Sequence, residues 1–138
     1  VRVVVEGGPH SEIVADETKL RQILVNLLAN AVEAARDQRA QEARVDLSWT
    51  TDDRTVSMRL EDRGPGIPDE VRPRLFEPFF STRPMPHPAG PTTPHGHGLG
   101  LGLSLCQSLL QRMGGEITAG NRDHGGTVFT VILPLASA

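Results

Sequence analysis

A single cysteine, Cys106, excludes an internal disulfide from this 138-residue chain. Its neighbours Leu103, Leu105 and Leu109 favour packing over nucleophilic chemistry. Basic residues are in deficit, with 14 Lys and Arg against 17 Asp and Glu, a net charge of −3 and no basic run, which argues against nucleic acid as a partner. No apolar run approaches the roughly 20 residues a membrane-spanning helix needs, so direct membrane insertion is not expected. The opening "VRVVVEGGP" has no signal-peptide character. We therefore expect a reducing, cytoplasmic setting. The missing initiator methionine fits a piece of a longer protein, and the length suits one domain, residues 1–138, with a proper core. Internal repeats are absent.

What is present alternates between two periodicities. "VRVVVE" is a short β-rich run closed by Gly7, Gly8 and Pro9, and "EIVA" is a candidate for another brief strand. Asp16 is placed to N-cap a long helix reaching about Ala35, with Leu20, Ile23, Leu24, Leu27, Leu28, Ala31 and Ala35 as its apolar stripe. "RVDLSWT" and "TVSMRLED" alternate with period two around "DDR", the pattern of a β-hairpin. "DEVRPRLF" suggests a short helical segment. Proline, glycine, threonine and histidine dominate from Pro84 to His97, which predicts a mobile loop. A helix from about Gly100 to Met113 and a second antiparallel pair, "GEITAGN" with "GTVFTVILP", complete the order. The sum is an α+β two-layer sandwich, a mixed and mainly antiparallel sheet with helices on one face.

Three stretches carry chemistry. In "GHGLGLGLSL" the glycines at 96, 98, 100 and 102 offer bare amides at the start of a helix, where free N–H groups and the positive end of the helix dipole suit a polyphosphate. No lysine followed by serine or threonine makes it a Walker loop, and no strand leads it into a dinucleotide turn; the plain alternative is a flexible loop with a small-residue packing site. At about 100° per residue, Asn26 and Asn30 lie roughly 40° apart at one border of the long helix's stripe. Their amides either bond nearby backbone or turn their carbonyl oxygens towards a hard cation such as Mg²⁺. Asp62, in "EDRGPGI", shares strand parity with Val56, Met58 and Leu60, so its carboxylate points to the buried side, and no cation of matching parity is evident nearby. It is either a turn-forming aspartate before Gly64, Pro65 and Gly66 or a ligand acceptor, with glycines that let a flat ligand approach the backbone.

Four stretches, taken in chain order, resemble the boxes of one family. "LRQILVNLLANAVEA" is similar to the asparagine box, "DRGPGI" to the first glycine box, "FEPFFST" to the phenylalanine box and "GHGLGLGL" to the second glycine box of sensor histidine kinases. With "GGTVFTVILP" the resemblance covers nearly the whole chain. It implies the catalytic and ATP-binding domain of a two-component histidine kinase, with the Bergerat ATP-binding fold shared with gyrase-type ATPases and related chaperones.

Carried over position by position, the resemblance implies that Asp62 accepts from the adenine amine. Gly64, Gly66 and Ile67 would lie beside the base, and Thr127 would help through a water. Asn30 would ligate Mg²⁺ bridging the phosphates, and Asn26 would line the same cleft. Gly98, Leu99, Gly100 and Leu101 would hold the phosphates. Residues from about 81 to 97 would be the ATP lid, anchored by Phe76, Phe79 and Phe80, with Arg83 placed to pair with a terminal phosphate. Two features depart from many relatives: Glu33 stands where a phosphate-contacting basic residue is common, and the lid is longer and richer in proline. His95 and His97 are read as solvated loop residues rather than metal ligands.

The resemblance further implies transfer of the γ-phosphoryl group of ATP to a histidine on a separate dimerisation domain, with a response regulator downstream and a parent protein anchored in a membrane in some relatives. No histidine here sits on an exposed helical face before an acid, so the chain supplies the donor half. A hydrolysing ATPase or an anti-sigma-type serine kinase of the same fold would carry Glu at position 26; a purely regulatory nucleotide-binding module is the remaining alternative.

Overall fold

The computed structural model describes residues 2–7, 13, 16–36, 44–78 and 102–135. Strand β1 (Arg2–Gly7) leads to helix α1 (Glu17–Arg36), then to β2 (Arg44–Thr51) and β3 (Thr55–Asp62). After a single 3-10 turn at Arg72–Arg74 come α2 (Gly102–Arg112), β4 (Glu116–Asn121) and β5 (Thr127–Pro134). The sheet runs β1-β2-β3-β5-β4. Only the β1–β2 pair among these is parallel, as a strand–helix–strand crossover requires; the other three pairs are antiparallel.

Local chemistry explains the boundaries. The Asp16 carboxylate accepts the Lys19 N–H at 3.2 Å, capping α1 three residues into its first turn. α2 closes in a Schellman arrangement: the Gly115 N–H donates to the Leu110 carbonyl (2.8 Å) and the Gly114 N–H to Gln111 (3.2 Å), with Gly114 at φ +75°. The β2–β3 turn is built on Asp52, whose carboxylate accepts the N–H groups of Arg54 and Thr55 (2.8 Å each) and the Thr55 hydroxyl (3.0 Å). Of "EIVA", Ile13 alone is described, and it makes one antiparallel bridge to Leu135. "DEVRPRLF" yields only the 3-10 turn, since Pro73 at its start withholds a donor.

Both helices lie on one face of the sheet. Ile23, Leu27 and Ala31 of α1 and Cys106, Leu109 and Leu110 of α2 close over Val45, Val56, Leu60, Ile117, Phe129, Val131 and Leu133. The opposite parity of β2 and β3 is polar, with ion pairs Arg44–Asp46 (2.9 Å) and Arg59–Glu61 (3.0 Å). This is the covered-face, open-face arrangement that the alternation in the sequence predicts. Leu20 and Leu28 of the expected helical stripe are partly buried against the core.

Candidate functional site

Period-two parity carries Asp62 to the covered face at the end of β3, where it is 3% exposed. One carboxylate oxygen, Oδ1, accepts two backbone donors, the N–H of Gly64 at 2.8 Å and that of Thr127 at 3.1 Å. Among the described residues Oδ2 accepts none, so one oxygen is anchored and the other is left for an incoming donor. Burial pushes the Asp62 carboxyl above its ordinary 3.8; the Gly64 and Thr127 amides and then the Arg122 charge oppose that shift without cancelling it.

The surroundings of Asp62 are close-fitting. Gly126 has a φ of +105°, and a Cβ there would run into the Asp62 carbonyl oxygen, so only glycine lets β5 start beside Asp62. Gly64 lies against α1: a Cβ on it would come 2.9 Å from the Ala34 carbonyl oxygen. Ile67 is 8% exposed, and its backbone is held by Asn121, whose Oδ1 accepts the Ile67 N–H (2.6 Å) while Nδ2 donates to the Ile67 carbonyl (2.9 Å). Asp62, Gly64, Gly66, Ile67 and Thr127 thus form one constellation. Thr127 reaches Asp62 directly through its N–H rather than only through a water.

Two expectations need correction. Asn26 is buried, at 7% exposure, instead of bordering the stripe, because α2 packs over that side of α1. There it lies beside Cys106, whose thiol donates to the Ile23 carbonyl oxygen at 3.8 Å. Burial pushes the Cys106 thiol up to about 11, which leaves it protonated and unreactive at neutral pH, in keeping with a packing role. Secondly, a cation does lie near Asp62. Arg122, 60 residues away in sequence, donates from Nη1 to the Asp62 carbonyl oxygen (3.4 Å) and to that of Gly125 (3.2 Å).

Asn26, Asn30 and Ala34 are spaced by fours, so they share one face of α1. This row leads from Cys106 on α2 to Gly64 beside Asp62. The half-buried Asn30 stands midway. Its amide oxygen is a hard, neutral donor of the kind a magnesium ion accepts. Phe76 packs against the core. Phe79, Phe80, Arg83, Gly98, Leu99, Gly100 and Leu101, and the expected lid at 81–97, lie outside the described residues.

The family model described as histidine kinase-, DNA gyrase B-, and HSP90-like ATPase matches residues 15–137. The chain belongs to this ATPase family. Within it the likeness is to sensor kinases. The signal transduction histidine-protein kinase AfsQ2 of Streptomyces coelicolor is 36% identical over 129 residues, 94% of this chain and 21% of that protein. The catalytic domain of histidine kinase ThkA superposes with a TM-score of 0.76 at 29% identity, covering 96% of this chain and 79% of that one. Full-length ShkA in complex with AMPPNP gives 0.77 at 31% identity, covering 99% of this chain and 26% of that one. This ATPase-family domain therefore has the Bergerat fold, and it spans only 17% to 21% of the length of curated relatives such as these. No helix among the described residues is long and apolar enough to cross a membrane.

Proposed function

We propose that this domain binds Mg-ATP and passes the γ-phosphoryl group to a histidine on a dimerisation domain of its parent protein, from which a response regulator takes it. The observation that carries the reading is Asp62, with Oδ1 fixed by two amides and Oδ2 without a donor among the described residues, placed to accept from the 6-amino group of adenine. Gly64, Gly66 and Ile67 then flank the base. The row Asn26, Asn30, Ala34 supports phosphates that run from the base along α1; by the family pattern, Gly98, Leu99, Gly100 and Leu101 would supply amides to them and Arg83 a cation. Magnesium supplies charge neutralisation between the phosphates when bound, and Asn30 is the residue that would hold it.

Asn26 favours transfer over hydrolysis. Activation of water in the hydrolysing relatives needs a carboxylate base, and an amide buried against Cys106 offers none. The domain would work in the cytoplasm, whether or not the parent protein is anchored in a membrane. The test is γ-labelled ATP with this chain and a dimeric domain bearing the acceptor histidine. Acid-labile, base-stable label on that domain supports the reading; rapid release of free phosphate by the chain alone, indifferent to the acceptor, overturns it.

A further inference from the structure

Among the described residues no strand pairs the segment from Arg63 to Pro68, since the β2–β3 register ends at Val45↔Asp62 and the β3–β5 register at Glu61↔Val128. A single side chain supplies the missing pairing. Asn121, the last residue of the edge strand β4, presents its carbonyl oxygen to the Ile67 N–H (2.6 Å) and its NH₂ to the Ile67 carbonyl (2.9 Å), as a peptide group of a neighbouring strand would. Only one orientation of the amide satisfies both bonds. The same side chain lies on Gly66, where an added Cβ would stand 2.9 Å from Asn121 Oδ1. Its register partner on β5 is Thr127, whose N–H holds Asp62 Oδ1. One residue therefore ties together the anchor of the carboxylate and the backbone of the loop.

We infer that Asn121 is a positioning residue for base recognition: it sets the distance between the Asp62 carboxylate and the Gly66–Ile67 wall, and so the fit of the 6-aminopurine ring between them. The inference rests on the reading of Asp62 as the acceptor of the adenine amine. Local sequence gives no hint of it, because Asn121 acts on residues 54 positions away. The two hydrogen bonds fix the backbone of the loop rather than that of β4 itself.

The test uses this chain, calorimetry, and two nucleotides: Mg-ATP and the Mg-bound triphosphate of purine riboside, which lacks the 6-amino group. N121A removes both bonds. Asn121→Asp keeps the shape and the acceptor but sets a carboxylate oxygen against the Ile67 carbonyl. In both variants ATP affinity should fall about ten- to a hundredfold, the range for losing one to two hydrogen bonds. The ratio of ATP to purine riboside triphosphate affinity should fall with it, while the melting temperature, read in parallel, stays within a few degrees of wild type. A purely structural residue would weaken both nucleotides alike and leave the ratio intact, which would overturn the inference; so would an unchanged ATP affinity. A wild-type chain that binds the two nucleotides equally would overturn the Asp62 reading and this inference together, whereas discrimination equal in wild type and N121A overturns this inference alone.

Discussion

Asp62→Asn separates what the fold wants at the end of β3 from what the ligand wants. The amide oxygen can still accept the Gly64 and Thr127 N–H groups that now meet Oδ1 at 2.8 and 3.1 Å, so the local backbone has no reason to move. What changes is the other atom, from a free acceptor to a donor. Facing the amine of adenine, that donor removes a hydrogen bond to a charged group, worth about 1.5–3 kcal/mol, and leaves a buried donor unpaired at about 1–3 kcal/mol more. A combined loss of about 2.5–6 kcal/mol corresponds to roughly 10²- to 10⁴-fold weaker ATP binding. Guanine presents a carbonyl at the same position, so the preference for ATP over GTP expected of the wild type, about 10⁴-fold for sites of this kind, should shrink sharply.

The same substitution should stabilise the nucleotide-free domain at neutral pH. Burial raises the Asp62 pKa above 3.8, so the folded state favours the protonated acid, and the stability this contributes is present below 3.8 and lost as pH rises through the raised value. Asparagine mimics the protonated form at every pH. The melting difference between D62N and wild type should therefore be near zero below pH 3.8 and grow to a plateau as pH rises past the folded pKa. Calorimetric titration at pH 7 and thermal scans from pH 3 to 8 measure both effects. ATP affinity within about threefold of wild type, or a melting temperature at pH 7 below that of wild type, would refute the argument.

Three further outcomes follow from the geometry. Asn26→Glu should raise phosphate release by the isolated chain if a carboxylate at that point can orient a water, an effect of about 10²-fold or more in steady-state assays; unchanged hydrolysis would show that Asn26 does not face the γ-phosphate. Cys106, with its thiol pushed up to about 11, should resist iodoacetamide in the folded chain and react only in denaturant, and rapid labelling of native protein would contradict its burial between α1 and α2. Asp52→Ala removes three hydrogen bonds from the β2–β3 turn and should lower the melting temperature; because those bonds hold the Asp52 pKa below 3.8, the loss should be seen at neutral pH and fade as pH falls through that lowered value.

Periodicity in the sequence alone makes the covered face legible. The helical stripe named Ile23, Leu27 and Ala31, strand parity named Val56, Leu60 and Asp62, and all six are buried. Local signals also located the Asp16 cap and the Asp52 turn. What the sequence did not disclose depends on elements far apart in the chain. The insertion of β5 between β3 and β4 brings Thr127, Asn121 and Arg122 to the end of β3, and no pattern within a few residues of any of them encodes that register. Asn26 is buried for a similar reason: its neighbour Cys106 belongs to a helix 80 positions on, and a helical wheel of α1 alone puts the amide at the edge of the stripe.

The central claim is that the end of β3 is where the base binds, and titrating the ¹⁵N-labelled chain with Mg-ATP addresses it most directly. The account requires the amide resonances of Gly64, Gly66, Ile67 and Thr127 to shift on binding, while those of Ser48, Arg59 and Thr118, on the open face of the sheet, stay in place. Shifts confined to the open face, or none at all around Asp62 while ATP binds, would contradict it.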